Sequence, residues 1–383
     1  MRPALAALFA LSAAACSVAP GDYIDSWFGS GPALKPADLV ALKPSAIVKL
    51  VWRGSAGDGE KYVFTPALGS GVIYTAGAAG QISRFEASSG KMLARFDSKY
   101  RLSGGVGSDG RTILAGTARG EVLAFDTNGK PLWQAQLTSE VLSAPQIDQG
   151  VVVVRSGDGR IYGLDAASGS RRWIYQRTLP SLTVRTSVGV VLFRGAVFAG
   201  FPGGRLVALT LANGNVGWDA AVALPKGSTE LERVADISSP PVLDERQICA
   251  TAFQGRVACF ELIKGALLWA RDISSIHGMA MDDRNVYVSD DKSALVAFDK
   301  SSGASLWKQD KLYGRNISAP VAAGKYLAVG DYQGYVHILS RDDGSFVARM
   351  ATDGSAIIAP PLAIGGNIVV QTRSGGIFAV RIE

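Results

Sequence analysis

Cysteine, histidine and clustered carboxylates carry most nucleophilic, metal and acid–base chemistry, and this chain is poor in all three. Its 383 residues include three cysteines, Cys16, Cys249 and Cys259, and two histidines, His277 and His337. Neither histidine has a Cys, Asp or Glu cluster at metal-ligand spacing. No Gly-x-Ser-x-Gly elbow, His-Glu-x-x-His pair or phosphate-binding loop occurs. These spacings argue against a hydrolase or a zinc enzyme. Gly157-Asp158-Gly159 and Asp290-Asp291 could suggest calcium, but acidic and glycine residues are also what hairpin turns use. No catalytic residue, metal ligand or cofactor is expected.

The cysteines point elsewhere. Cys249 and Cys259 flank a hairpin turning near Gln254-Gly255, so a register that sets them opposite each other would make them cross-strand neighbours. In an exported protein such a pair can form a disulfide. Two small buried thiols fit the same spacing. Cys16 closes an N-terminal run, MRPALAALFALSAAACS, with one positive residue, a short apolar stretch and small residues before the cysteine. That is an export signal, too short for a membrane span. Ala-Ala-Ala-Cys looks like a bacterial lipobox, which implies cleavage after residue 15 and a lipid on Cys16. Ser17 stands where an inner-membrane retention signal would place Asp, which implies an outer-membrane destination. Residues 16–44, with Gly-Ser-Gly-Pro and further prolines, read as a flexible tether, and 45–383 as the folded body.

The body must come from the rest of the composition. The chain is 48% hydrophobic and 19% charged, with 45 glycines, which suits a globular all-β protein of many short strands. Its formal charge of +6 is spread over single Lys and Arg residues and makes no basic patch, so nucleic acid is not an expected partner.

One pattern recurs eight times: GQISRF, GEVLAF, GRIYGL, GRLVAL, GRVACF, SALVAF, GYVHIL and GIFAV, at steps of 38 to 51 residues. Most copies run on to a glycine and, four residues later, a tryptophan, as in GKPLW and GASLW; Trp133, Trp173, Trp218, Trp269 and Trp307 are thus equivalent. Upstream of each copy lie a small-x-Pro or small-x-Gly segment and an apolar run, which makes four strands per unit, A to D. A four-stranded sheet cannot bury both faces alone, and stacking units round an axis solves this. An eight-bladed β-propeller of antiparallel blades is expected, with the repeated tryptophans packing blade on blade. The last copy has no room for strand D, whereas Trp52 precedes the first unit without a blade of its own. Residues 46–53 are therefore expected to close the ring as the outer strand of the last blade.

Two connections exceed what this architecture needs. From the strand D tryptophan to the next small-x-Pro or small-x-Gly the chain takes 12 residues after Trp133 and 13 after Trp307, but 16 after Trp173 and 22 after Trp218. In a meander all D-to-A connections emerge on one face, so these consecutive loops stand side by side there. Loops longer than structure requires are where binding is usually carried. Leu182 and Val184 beside Arg185 suggest a compact apolar anchor with a charged rim, and Asp236 is free to pair with Arg185 or to meet a basic group. Glu140, in a short connection on the same face, is expected to have no part in binding.

Units of Ala-apolar-Asp-x-x-x-Gly-x-x-x-Trp character resemble the repeat of quinoprotein (PQQ) dehydrogenases. Those enzymes place adjacent cysteines beside the cofactor, and this chain has no such pair. The lipobox, the tether, the eight units and the segments PSLTVR and GSTELERVADIS together resemble the BamB family, lipoprotein subunits of the outer-membrane β-barrel assembly machinery. That resemblance implies a non-catalytic scaffold, lipid-anchored on the periplasmic face of the outer membrane. It sets Leu182, Val184, Arg185, Asp236 and Ser238 on positions implicated in binding the POTRA domains of a BamA-like barrel protein, and admits unfolded outer-membrane proteins as a second partner class. Ser238 replaces the family's second acid and Thr186 the glycine after its arginine. The competing reading is a periplasmic PQQ-like propeller that binds a cofactor or acts as a sensor.

Overall fold

The computed structural model describes residues 35–383; the signal segment, Cys16 and most of the expected tether lie outside them. Among these residues thirty-two strands form eight four-stranded antiparallel sheets. Seven are simple meanders: blade 1 spans 67–97, blade 2 102–136, blade 3 146–175, blade 4 191–221, blade 5 242–272, blade 6 278–309 and blade 7 321–351. The B and C strands of each blade are buried on both faces, as in Val151–Arg155 and Leu295–Asp299. They lie inside a stack of sheets, which is why they read as continuous apolar runs instead of alternating ones. The D strands alternate, because only one of their faces meets a neighbouring blade.

Blade 8 is assembled from both ends of the chain. Val48–Ser55 pairs antiparallel with Gly376–Ile382, with Trp52 opposite Ala379. The same pairing joins Trp133 to Ala124, Trp218 to Ala208 and Trp307 to Ala297, so Trp52 is the D-strand tryptophan of blade 8. The closing strand begins and ends two residues later than the repeat suggested.

Each indole then reaches forward to the next blade. The ring N–H groups of Trp52, Trp133, Trp173, Trp218, Trp269 and Trp307 donate to the carbonyls of Ala87, Ala166, Leu211, Leu262, Lys300 and Arg341, at 2.8–3.1 Å. The indole face lies against the glycine of that blade's C–D turn: a Cβ added to Gly90, Gly169 or Gly303 would sit 2.4–2.5 Å from the ring of Trp52, Trp133 or Trp269. This explains the repeat's Gly-x-x-x-Trp spacing, since the glycine receives the preceding blade's tryptophan and the tryptophan four residues later serves the following blade.

Two units lack the tryptophan, for different reasons. In blade 1 Ala94 stands at its place and Phe96, two residues on, packs over Gly129 instead. In blade 7 the place is taken by Ala348, and the adjoining blade 8 has no C–D hairpin to receive an indole because its D strand comes from the other end of the chain. Residues before the closing strand pack there: Ser45 N–H donates to Val347 O at 2.9 Å and Ala37 N–H to Tyr313 O at 2.9 Å. Ala37 is thus already in contact with the ring, ahead of the expected boundary at residue 45.

Candidate functional site

The two long connections meet. The loop after blade 3, residues 176–190, and the loop after blade 4, residues 222–241, are joined through Asp236, which is only 2% exposed. One carboxylate oxygen accepts from Val184 N–H at 2.7 Å and the other from Gly203 N–H at 3.0 Å. The side chain therefore ties the first loop, the second loop and the B–C turn of blade 4 at one point. Ser181 Oγ adds a second link, donating to Glu230 at 3.3 Å.

Arg155, at the end of the second strand of blade 3, faces the same recess. Burial pulls its pKa down to about 10, with the Asp236 charge opposing that fall. Its guanidinium donates to Gly200 O and stacks 5.1 Å over Phe201. A partly buried cation thus backs the carboxylate that fastens the loops. The cavity between them, lined by Glu140, Arg155, Val184 and Asp236 among others, has a volume of about 110 Å³. That is room for a few waters and well below the ~300 Å³ at which ligand pockets begin.

Two expectations about polar side chains change. Asp236 and Ser238 were expected at the contact surface, yet both are buried; the Ser238 hydroxyl donates to Ser275 O at 3.1 Å. Neither side chain is free for a partner, and each shapes the loop from within. Arg185 does not pair with Asp236. It extends into solvent and meets Glu140 at 3.4 Å. Glu140 is accordingly part of the site: its carboxyl is held below the usual range by the Ser139 hydroxyl first and by the Arg185 charge as a lesser cause, and its main-chain carbonyl accepts from Gly157 N–H at 2.8 Å.

The apolar expectation changes less. Leu182 is 43% exposed and Val184 partly so. Sequence reasoning missed Leu224 and Leu231, 61% and 71% exposed on the second loop. Leu231 rides on a single helical turn whose geometry is legible afterwards: Thr229 Oγ1 accepts from Glu232 N–H at 3.2 Å while the Glu232 carboxylate accepts from Thr229 N–H at 3.1 Å. This reciprocal cap is the Thr-x-x-Glu signature, present in STELE, and it projects the residue inside it. Leu182, Leu224 and Leu231 give the loop pair three exposed leucines beside Arg185, Lys226 and Arg233.

The remaining candidates lie apart. Cys249 and Cys259 are directly opposed in blade 5, fully buried, with their sulfurs bonded and Cα atoms 4.0 Å apart. His277 lines the axial mouth of the loop-bearing face together with Ser187, Ser238 and Ile358; burial pulls its pKa down to about 4. A larger recess, about 810 Å³, opens on the opposite face. It is lined by charges that satisfy one another, such as Lys300 with Asp244 and Arg284 with Asp342. Asp290, Asp158 and Gly159 occupy B–C turns, where Asp290 caps Lys292 and Ala294 N–H groups. Among the described residues no three His, Cys, Asp or Glu side chains converge as a metal set.

Fold and site together define an eight-bladed propeller of PQQ-like repeats whose distinguishing surface is a fastened pair of loops between blades 3 and 5. Residues 78–309 match the family described as outer membrane protein assembly factor BamB. The chain is 45% identical to the outer membrane protein assembly factor BamB of Nitrosomonas eutropha, over 91% of this chain and 85% of that one. The crystal structure of BamB from Moraxella catarrhalis superposes with a TM-score of 0.80 at 26% identity, covering 88% of this chain and all of that one. The chain belongs to the BamB family of outer membrane protein assembly factors. A quinohemoprotein alcohol dehydrogenase from Comamonas testosteroni, 12% identical with a TM-score of 0.70 over 87% of this chain, shares the propeller fold.

Proposed function

We propose that this protein is a non-catalytic scaffold of outer-membrane protein assembly, held at the periplasmic face of the outer membrane by a lipid on Cys16, which binds the POTRA domains of a BamA-like barrel protein through its loop pair. The observation that carries this reading is the fastening of Val184 by buried Asp236, which holds Leu182 and Arg185 outward on a rigid base. Preorganised loops lose little freedom on binding, so a small apolar anchor can contribute most of the affinity. Leu182, Val184, Leu224 and Leu231 supply the apolar contact and Arg185 the charged rim. Asp236 and Ser238 act by positioning. Membership of an assembly-factor family supports the setting, and the exposed leucines of the loop pair suit a macromolecular partner.

The test is binding of purified POTRA domains to the mature protein. Replacing Leu182 and Arg185 together by Ala should abolish capture while leaving the melting curve unchanged. Undiminished capture by the double variant would overturn the site assignment. Tight stoichiometric uptake of PQQ in equilibrium dialysis would overturn the scaffold reading in favour of a cofactor-binding propeller.

A further inference from the structure

The segment before the closing strand is fastened to blade 7 by buried charge. Arg315, only 2% exposed in the connection leading into blade 7, donates to the main-chain carbonyl of Ala37 at 3.0 Å and to the fully buried Asp331 at 2.8 Å. Arg349, on the outer strand of the blade, donates to Val40 O at 3.1 Å and to His337 Nδ1 at 3.3 Å. His337 Nε2 in turn lies 2.9 Å from Asp331, so the neutral imidazole accepts from Arg349 and donates to the carboxylate. Burial favours that neutral form, lowering the His337 pKa, with Asp331 acting in opposition. Gln333 accepts from Arg315 and the Tyr332 ring lies under its guanidinium. Two arginines held in a rigid network thus present donors to carbonyls of a stretch that has no strand of its own.

Burial on the outer strands shows that the segment covers blade 7. The residue just before the tryptophan position is exposed in blades 1, 2, 5 and 6, at 43–50% for Leu93, Leu132, Leu268 and Leu306, but Val347 in blade 7 is 6% exposed. Ala46 and Val48 pack with Val347 and Ala348 in one apolar cluster. The segment therefore fills the seam that an indole and a C–D hairpin fill elsewhere in the ring.

We propose that residues 37–47 form a latch, clamped by Arg315 and Arg349, that fixes the exit of the anchoring chain at blade 7, three blades round the ring from blade 4 and its loop pair. The placement of the exit stands on the contacts alone; its meaning for the membrane rests on Cys16 carrying the lipid. Cys16 lies 21 positions ahead of Ala37 in the sequence, a length of chain that spans at most ~70 Å when fully extended.

Hydrogen exchange on the full mature lipoprotein in detergent reads the latch directly. The amides of Ala37 and Ser45 should exchange more slowly than an unstructured chain by roughly tenfold or more. Arg315→Met, which removes the donor to Ala37 O, should remove that protection at Ala37, while Val48–Ser55 keeps its own. Should Arg315→Met not fold, Ser45→Pro removes the donor to Val347 O and leaves every ring side chain in place, and should speed exchange at Ala37. Unprotected amides in the parent, or full protection of Ala37 in the variant that folds, would overturn the latch. Palmitate labelling of Cys16 reads the anchor separately, so a failure of either can be told from the other.

Discussion

Two buried carboxylates on the loop-bearing face, Asp236 and Asp331, sit in similar surroundings and organise different things. Each is almost fully buried, each accepts main-chain N–H groups and each has arginine nearby. Asp331 caps Gln333 and Tyr335 within its own B–C turn and is bonded to Arg315 and His337. Burial alone would raise its pKa, but the hydrogen bonds from His337, the Tyr335 amide and Arg315 hold it below the usual range. Asp236 spends both oxygens on main-chain groups of other segments. One carboxylate orients side chains that clamp a strap, and the other ties two loops to each other. Where the repeat offers irregular segments no ladder, a buried charge supplies the single fixed point that a strand would have supplied many times over.

Replacing each acid by Ala should give the largest effects and the sharpest separation. Both variants lose a buried charge that others depend on, so each should be destabilised by about 3 kcal/mol, seen as a lower urea midpoint. Asp236→Ala should also lose partner binding, because Leu182 and Arg185 no longer stand on a fixed base. Asp331→Ala should keep binding and lose protection at Ala37. Equal loss of binding in both would mean that the two carboxylates only stabilise the ring.

Leu182→Ala comes next. Truncating a central apolar anchor typically costs about 2 kcal/mol, roughly a thirtyfold rise in Kd, and the change should lie in the dissociation rate with stability untouched. Leu231→Ala should follow in the same direction, more weakly in proportion to its place further along the second loop. The same truncation away from the loops, Leu306→Ala on the outer strand of blade 6, should leave binding alone; a loss there would move the contact off the loop pair.

Acid should separate the two regions more gently. His277 titrates at about 4 in the fold and His337 below its ordinary value, both because burial disfavours the cation. An unfolded chain binds those protons near 6.5. Stability from keeping the imidazoles neutral is thus complete above about 6.5 and declines as the pH falls below it towards the folded values. The melting temperature should fall by several degrees from pH 7.5 to pH 5, and His337→Gln should remove part of that slope. Protonated His337 can no longer accept from Arg349, so the strap should loosen before the loop pair. A flat profile in the parent would contradict the neutral imidazoles.

The fold was legible because its information is repeated: eight copies of one strand pattern, and a glycine and tryptophan whose spacing is the seam itself. Closure was legible from a tryptophan without a blade. The loop pair was legible only as excess length. What became of its side chains was not, since the fate of Asp236 depends on the B–C turn of blade 4 lying within reach, and no local pattern encodes that meeting. The strap was hidden for the opposite reason. Residues 35–47 contain prolines and little periodicity, and a stretch held through its carbonyls leaves no mark on the side chains it carries.

The smallest effect concerns Glu140, which the spacing of the repeats left without a part and the structure sets against Arg185. Both groups are near solvent, with a 3.4 Å separation, so their coupling should be modest: a double-mutant cycle with Arg185→Ala and Glu140→Ala should give about 0.2–1 kcal/mol in stability. On binding, the two substitutions should differ in sign. Arg185→Glu removes the rim charge and should slow association, most strongly at low ionic strength, where screening is weak. Glu140→Ala releases Arg185 from its internal partner and leaves a more positive rim, so association should speed up slightly and its salt dependence should steepen. The dissociation rate should move little in either case, because Leu182 sets it. If Glu140→Ala instead raises the dissociation rate as much as Leu182→Ala does, Glu140 is supporting the loop base through Gly157 and Arg185 carries no separate part of the contact.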